Sequence, residues 1–224
     1  MTPARRLLVI GDVHCEAVAL ERALRKFAPT VDRVVCVGDV VDGEGNAHDT
    51  IALLRRYNVM CVQGNHDRWL LCGHSRERPE ATLRGMLSAD DLDWLIALPQ
   101  TVATDTVRGK ALLAHAFGVD DFEFVERDTP DFAYHAHKQW ARFRDEAFVM
   151  HFCGHTHRPF TRRVPNDGMW EGIQWVNAGT LHRGHDPSVC IVDCERGVVE
   201  WHPYSGGRFM APRVGTFGKV APRW

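Results

Sequence analysis

The chain has 224 residues, 45% of them apolar and 25% charged, with a formal net charge of -2. These values suit one soluble globular domain whose core needs no covalent staples. They give no electrostatic ground for binding polymeric nucleic acid, and no apolar run approaches the roughly 20 residues of a membrane helix.

The apolar stretch after Arg5 and Arg6 is too short for the core of a signal peptide. The seven cysteines are odd in number, and Cys36, Cys61 and Cys153 fall inside strand-like runs. They read as free thiols of a reducing compartment, so a cytoplasmic location is expected. Leu7 to Ile10 reads as a buried strand and Glu16 to Phe27 as a helix with apolar positions at helical spacing. Arg33 to Val37 (strand), Ala47 to Tyr57 (helix) and Asn58 to Val62 (strand) continue a β-α-β-α-β rhythm, which predicts a parallel sheet with helices on its faces. Ser88 is the N-cap of a helix running to Leu98 and ended by Pro99.

The second half turns strand-rich: Thr101 to Thr106, Lys110 to His115, Phe148 to Cys153, Gln174 to Asn177, Val189 to Val192 and Val198 to His202. Arg108-Gly109, Asp167-Gly168 and Arg196-Gly197 are turn signals among them. Residues 117–139 hold an acidic, aromatic insertion, irregular over Phe117 to Asp131, that is expected to lie over the site. Residues 203–224 read as a loosely ordered tail rich in Gly and Pro. No linker interrupts the chain, so residues 1–224 are expected to form one domain.

Five polar clusters each follow an apolar run: Gly11-Asp12-Val13-His14, Gly38-Asp39-Val40-Val41-Asp42, Gly64-Asn65-His66-Asp67, His115, and Gly154-His155-Thr156-His157. In an open α/β sheet ligands bind beyond the carboxyl ends of the strands. Five such clusters delivered to one edge converge. Together they offer enough oxygen and nitrogen donors for two adjacent divalent metals, an apparatus for hydrolysing phosphate esters. Mixed O/N donors without thiolate suit Mn, Fe, Ni, Zn or Mg better than a closed structural zinc site. Singly, an Asp-x-His pair or a lone histidine says little; the order and number of the clusters carry the argument.

On these motifs the sequence resembles the calcineurin-like metallophosphoesterases, over about Leu7 to Thr180. The resemblance implies two mixed β-sheets packed face to face with helices outside, a four-layer α/β/β/α sandwich. It implies that Asp12, His14 and His157 bind one metal, that Asp39 bridges both, and that Asn65, His115 and His155 complete the second. The metals would be two divalent ions, with Mn first among the candidates. A hydroxide bridging them would attack phosphorus, and His66, oriented by Asp42, would protonate the leaving alkoxide. Arg68 and Arg158 are candidates for gripping phosphoryl oxygens, with surface salt bridges as the plain alternative. Asn177-Ala178-Gly179-Thr180 resembles the Asn-Pro-Gly-Ser run of small bacterial members.

There are departures. Cys15 stands where many members have glycine, and it reads as a tolerated small side chain rather than a reactive thiol. Gly43 and Asp67 stand where Ser/Thr protein phosphatases carry arginine and glutamate, which favours the small phosphodiesterase or phosphatase branch. Ala178 replaces the usual proline. His135 and His137 read as loop histidines, Cys190 and Cys194 as inert strand residues. Trp69, Trp140, Trp170, Trp175 and Trp201 read mainly as packing rings, with nucleobase stacking as the other use. The expected substrate is a small phosphomonoester or phosphodiester, with a nucleotide among the candidates. The alternatives are a phosphoprotein or dinucleoside-polyphosphate hydrolase, and a non-catalytic scaffold.

Overall fold

The structure is a computed structural model that describes residues 2–74, 79–165 and 172–218; Trp170 and the Asp167-Gly168 turn lie outside them. Two sheets form the centre. The first runs in the order β11 (Arg208–Phe209), β10 (Val198–Ser205), β9 (Ser188–Asp193), β1 (Arg6–Ile10), β2 (Arg33–Cys36), β3 (Met60–Cys61), with β12 (Arg213–Thr216) also paired to β10. The second runs β4 (Thr101–Thr106), β5 (Gly109–Ala114), β6 (Phe148–Cys153), β8 (Ile173–Asn177), β7 (Phe160–Val164). Both are mixed. β1, β2 and β3 are parallel to one another, as are β5, β6 and β8, while β9 is antiparallel to β1.

Side-chain alternation sorts the core into layers, because successive strand residues point to opposite faces. Leu7 and Val9 of β1 pack with Leu113, Phe152 and Val176 of the second sheet, so these faces meet. Leu8 and Ile10 point the other way, onto Leu20 and Leu24 of α1 (Ala17–Phe27) and Ile51 and Leu54 of α2 (Ala47–Arg56). On the far side, Leu112, Phe148 and Trp175 meet Tyr134 of α5 (Asp131–Ala136) and Phe143 of α6 (Trp140–Asp145). The result is the expected α/β/β/α sandwich. Each fully buried Leu, Ile or Val in it contributes about 1.5–3 kcal/mol.

Local signals end the helices where expected. Asn46 caps α2 by accepting from the Asp49 amide. Ser88 and Asp91 form a capping box at the start of α4 (Ala89–Ala97). One expectation needs correction. The described part of the tail, residues 203–218, is not loosely ordered: β10 continues to Ser205, and β11 and β12 extend the first sheet. After the irregular stretch that begins at Phe117, α5 closes over Trp175. Gly64 leads directly into α3 (Asn65–Leu71), which carries Asn65, His66 and Asp67. Among the described residues no helix is long and apolar enough to cross a membrane.

Candidate metal and catalytic site

Asp12 lies just past β1, Asp39 past β2, Asn65 past β3, His115 past β5 and His155 past β6. These strands point the same way within each sheet, and their carboxyl ends bring all five residues to one cleft. Asp12, His14, Asp39, Asn65 and His115 are buried there. His155 and His157 are half-buried at its mouth.

The backbone is strained at this place. His14, Cys15, Asp39, Asp42, His155 and His157 all have positive φ, between 47° and 67°. Such conformations cost non-glycine residues roughly 1–2 kcal/mol each, and they persist where the surroundings impose them, often at functional sites. Gly64 is required for space rather than for φ. A Cβ there would stand 2.2 Å from Asp39 Oδ1 and 2.3 Å from the Asp39 nitrogen.

The hydrogen bonds reveal which nitrogens carry lone pairs. His14 Nδ1 lies 2.7 Å from the Asp42 carbonyl oxygen, and a carbonyl only accepts. Nδ1 is therefore the donor. In the neutral ring Nε2 then bears a lone pair, and it faces His157 Nε2 at 3.1 Å. His115 repeats the pattern. Its Nδ1 donates to the Val37 carbonyl at 2.8 Å, while Nε2 lies 2.8 Å from Asn65 Oδ1 and 3.3 Å from Asp39 Oδ2. A neutral His115 would set a lone pair against oxygen lone pairs. The arrangement is stable if Nε2 is protonated or if a cation lies among these atoms. His155 Nε2 is buried with no hydrogen-bond partner, and Nδ1 approaches the same Asn65 oxygen at 3.0 Å.

Charge tells the same story. Burial opposes charge on His115, but Asp39 beside it prevails and pushes its pKa up to about 10. Burial would raise Asp39, yet His115, His66 and His14 hold its carboxyl below the usual range. Burial lifts Asp12 to about 7 and lowers His14 and His155 to about 4. His14 and His155 are thereby neutral, as ligands of divalent cations must be, and the positive charge drawn onto His115 marks a place among clustered acids that a cation would fill instead. His14, Asp39 and His157 form one group able to hold an ion, and Asp12, Asp39 and His115 a second sharing Asp39.

Beside this cleft, His66 Nδ1 lies 2.8 Å from Asp42 Oδ2, and Nε2 turns inward to 3.9 Å from Asp39 Oδ2. The His66 amide donates to Asp39 Oδ1. Asp67 is buried and accepts from the amides of Val40, Val41 and Gly64, tying the Asp39 loop to the start of α3. Asn177 donates to the Gly154 carbonyl and Thr180 to the Asp12 carbonyl, bracing two more loops. Cys15 is buried, which pushes its thiol up to about 12, so it is inert.

Several contributors carry no sequence signature. Thr82 clasps Asp42 reciprocally: its amide donates to Asp42 Oδ1 at 2.8 Å, and its hydroxyl accepts from the Asp42 amide at 3.0 Å. His182 and His185 bring their rings to 5.2 Å from His14 and 4.6 Å from His157. Two histidines close behind the Asn177–Thr180 run are the only hint of them in the sequence. Arg68 and Arg158 are both engaged. Arg68 forms a forked pair with Asp121, and Arg158 pairs with Glu126, both acids of the 117–130 segment. His135 Nε2 donates to the Pro165 carbonyl, and His137 stacks on Phe117. Trp140, Trp175 and Trp201 are buried packing rings, whereas Trp69 stands next to His66.

The profile of the calcineurin-like phosphoesterase superfamily domain matches residues 6–197. A symmetrical bis(5'-nucleosyl)-tetraphosphatase of Shewanella sp. is 30% identical over 146 residues, half of this chain; the match spans 52% of that relative's length, so the chain accounts for about half of it. An uncharacterized protein of Methanocaldococcus jannaschii is 26% identical over 83% of this chain and 73% of its own. A crystal structure of a metallophosphoesterase from Sphaerobacter thermophilus superposes with a TM-score of 0.67 at 25% identity, covering 90% of this chain and 88% of that one.

Proposed function

We propose a reaction for this chain, which belongs to the calcineurin-like phosphoesterase superfamily: hydrolysis of a phosphate ester of a small molecule, dependent on two divalent metals. The observation that carries the proposal is the convergence of Asp12, His14, His115 and His157 on a shared Asp39, with Asn65 and His155 alongside and the paired His66 and Asp42 next to them. The family uses a divalent metal pair, and this chain has the candidate ligand groups.

Asp12, His14 and His157 would hold one ion, Asn65, His115 and His155 the other, and Asp39 both. The bound pair supplies a water of lowered pKa and neutralises phosphoryl charge. The rest is the work of side chains. Asp42, fixed by Thr82, accepts from His66 Nδ1 and so orients the ring with Nε2 toward the cleft. In its protonated form the ring would give the Nε2 proton to the departing alkoxide. Arg68 and Arg158 act here as anchors of the 117–130 segment, since each already has a carboxylate partner. A scaffold would have no use for the His66–Asp42 pair.

A second reading is hydrolysis of a dinucleoside polyphosphate, favoured by the activity in the name of the Shewanella relative. The test is turnover of p-nitrophenyl phosphate, bis-p-nitrophenyl phosphate and diadenosine tetraphosphate after chelation and re-addition of Mn, Ni, Mg or Zn. Metal-restored turnover is expected, and it should vanish in Asp39→Asn. Activity indifferent to chelation and to Asp39→Asn would refute the two-metal reading.

A further inference from the structure

Around the cleft runs a chain of rings that the phosphoryl chemistry does not use. Trp69 lies one helical turn after His66, and the two ring centroids are 4.9 Å apart. Phe122 follows at 5.7 Å from Trp69, then Phe124 at 5.6 Å from Phe122. Both phenylalanines then close on His155, at 5.3 and 4.7 Å. The arc thus begins at the proposed proton donor and ends at a proposed metal ligand. Phe122 is 48% and Phe124 60% exposed, although the protein has a large core available to such side chains. They are not loose. The residue before Phe122 is Asp121, forked onto Arg68, and beyond Phe124 the buried Val125 and the Glu126–Arg158 pair hold the segment down. The segment is pinned on both sides of two rings that face solvent at the rim of a polar cleft.

We infer that Trp69, Phe122 and Phe124 form a stacking subsite for a flat aromatic group, a nucleobase, carried on the leaving-group side of the phosphate ester; this rests on the phosphoester reading above. The position selects the leaving group because the arc adjoins His66, the residue placed to protonate that group. Ring faces suit an aromatic ligand of any sequence of ring atoms, since every base has a π-face. Glu123, between the two phenylalanines, disfavours a second phosphate there, Asp121 being already paired with Arg68, so the arc fits an uncharged base rather than another anion.

The test compares three esters of one class with the metal-loaded enzyme: adenosine 5'-monophosphate, ribose 5-phosphate, which lacks the base, and phenyl phosphate, which carries a simple aryl ring. Their methyl diesters serve if the chain prefers diesters. Each is measured with wild type and with Phe122→Leu/Phe124→Leu, which keeps apolar bulk and removes the rings. The wild-type to variant ratio of kcat/KM is expected to be about tenfold or more for the adenosine ester and near one for ribose 5-phosphate. A ratio raised for phenyl phosphate alone would overturn the nucleobase assignment, and equal ratios for all three would overturn the subsite itself. Absence of turnover in wild type with every metal would instead count against the phosphoester reading. Independently of turnover, adenosine but not ribose should quench tryptophan fluorescence of the chelated protein, and Trp69→Phe should abolish that quench. No difference between adenosine and ribose would also overturn the subsite.

Discussion

Gly64→Ala is the sharpest test of how the cleft is built. The new Cβ would lie 2.2 Å from Asp39 Oδ1, 2.3 Å from the Asp39 nitrogen and 2.9 Å from its Cγ. None of these can swing aside. The nitrogen is backbone, and Oδ1 is held by the His66 amide at 2.9 Å. The two loops must part by about 1 Å to reach ordinary contact, a displacement able to cost on the order of 100-fold in catalysis. Overpacking of this kind costs about 1–3 kcal/mol, which lowers Tm by about 2–12 °C in a chain of this size. Because Gly64 adjoins Asn65, the shift also separates two proposed ligands of one ion. Manganese affinity, read by calorimetric titration of the chelated protein, should fall together with kcat/KM. Gly85→Ala is the control, with nothing within 4 Å of its Cβ and no positive φ. If Gly64→Ala kept wild-type manganese affinity and turnover, the claim that this glycine sets the Asp39–Asn65 spacing would fall.

Other outcomes follow from named contacts. His66→Ala should retain its metals, by elemental analysis, but lose about 100- to 10,000-fold in kcat on alkyl esters, and far less on p-nitrophenyl esters, whose leaving group needs no proton; equal losses on both would remove His66 from the acid role. Thr82→Val deletes the hydroxyl that accepts from the Asp42 amide; a loss of about 1–3 kcal/mol in stability is expected from the orphaned amide, with kcat lowered and KM spared, and a changed KM alone would contradict an effect transmitted through Asp42. His48 is hydrogen-bonded to Asp91 at 2.8 Å, and that bond and charge raise its pKa. A raised histidine stabilises fully below its unfolded value of 6.5 and loses the contribution as pH rises through the higher folded value. The Tm gap between wild type and His48→Gln should therefore be widest near pH 5–6 and close in alkaline buffer; a gap that widened with pH would reverse the assignment.

The site's first half was legible because chemistry and topology coincide there. An apolar strand followed at once by Gly-Asp or Gly-His marks both a strand end and a donor, so Asp12, Asp39 and His155 announce themselves. α3 was hidden by the same motif, since Asn65, His66 and Asp67 look like loop residues until Asp67 is seen to bond the Gly64 amide as its capping partner. β7 was obscured by Arg162 and Arg163, although Arg162 donates through Nη1 to the carbonyls of Arg127 and Thr129 and covers Tyr134. β12 sits in a Gly- and Pro-rich stretch and is defined only by its pairing to β10. The roles of Thr82 and Asp121 depend on partners 40 and 53 residues away, and no local pattern encodes such distances.

The donors are divided between the two halves of the sandwich. Asp12, His14, Asp39 and Asn65 hang from the first sheet, while His115, His155 and His157 hang from the second. Any ion held among them rivets one sheet to the other. Catalysis in such an architecture doubles as a strain gauge: a void opened between the sheets, for instance by shaving Trp201 or Phe152, would silence the enzyme well before its helices melt.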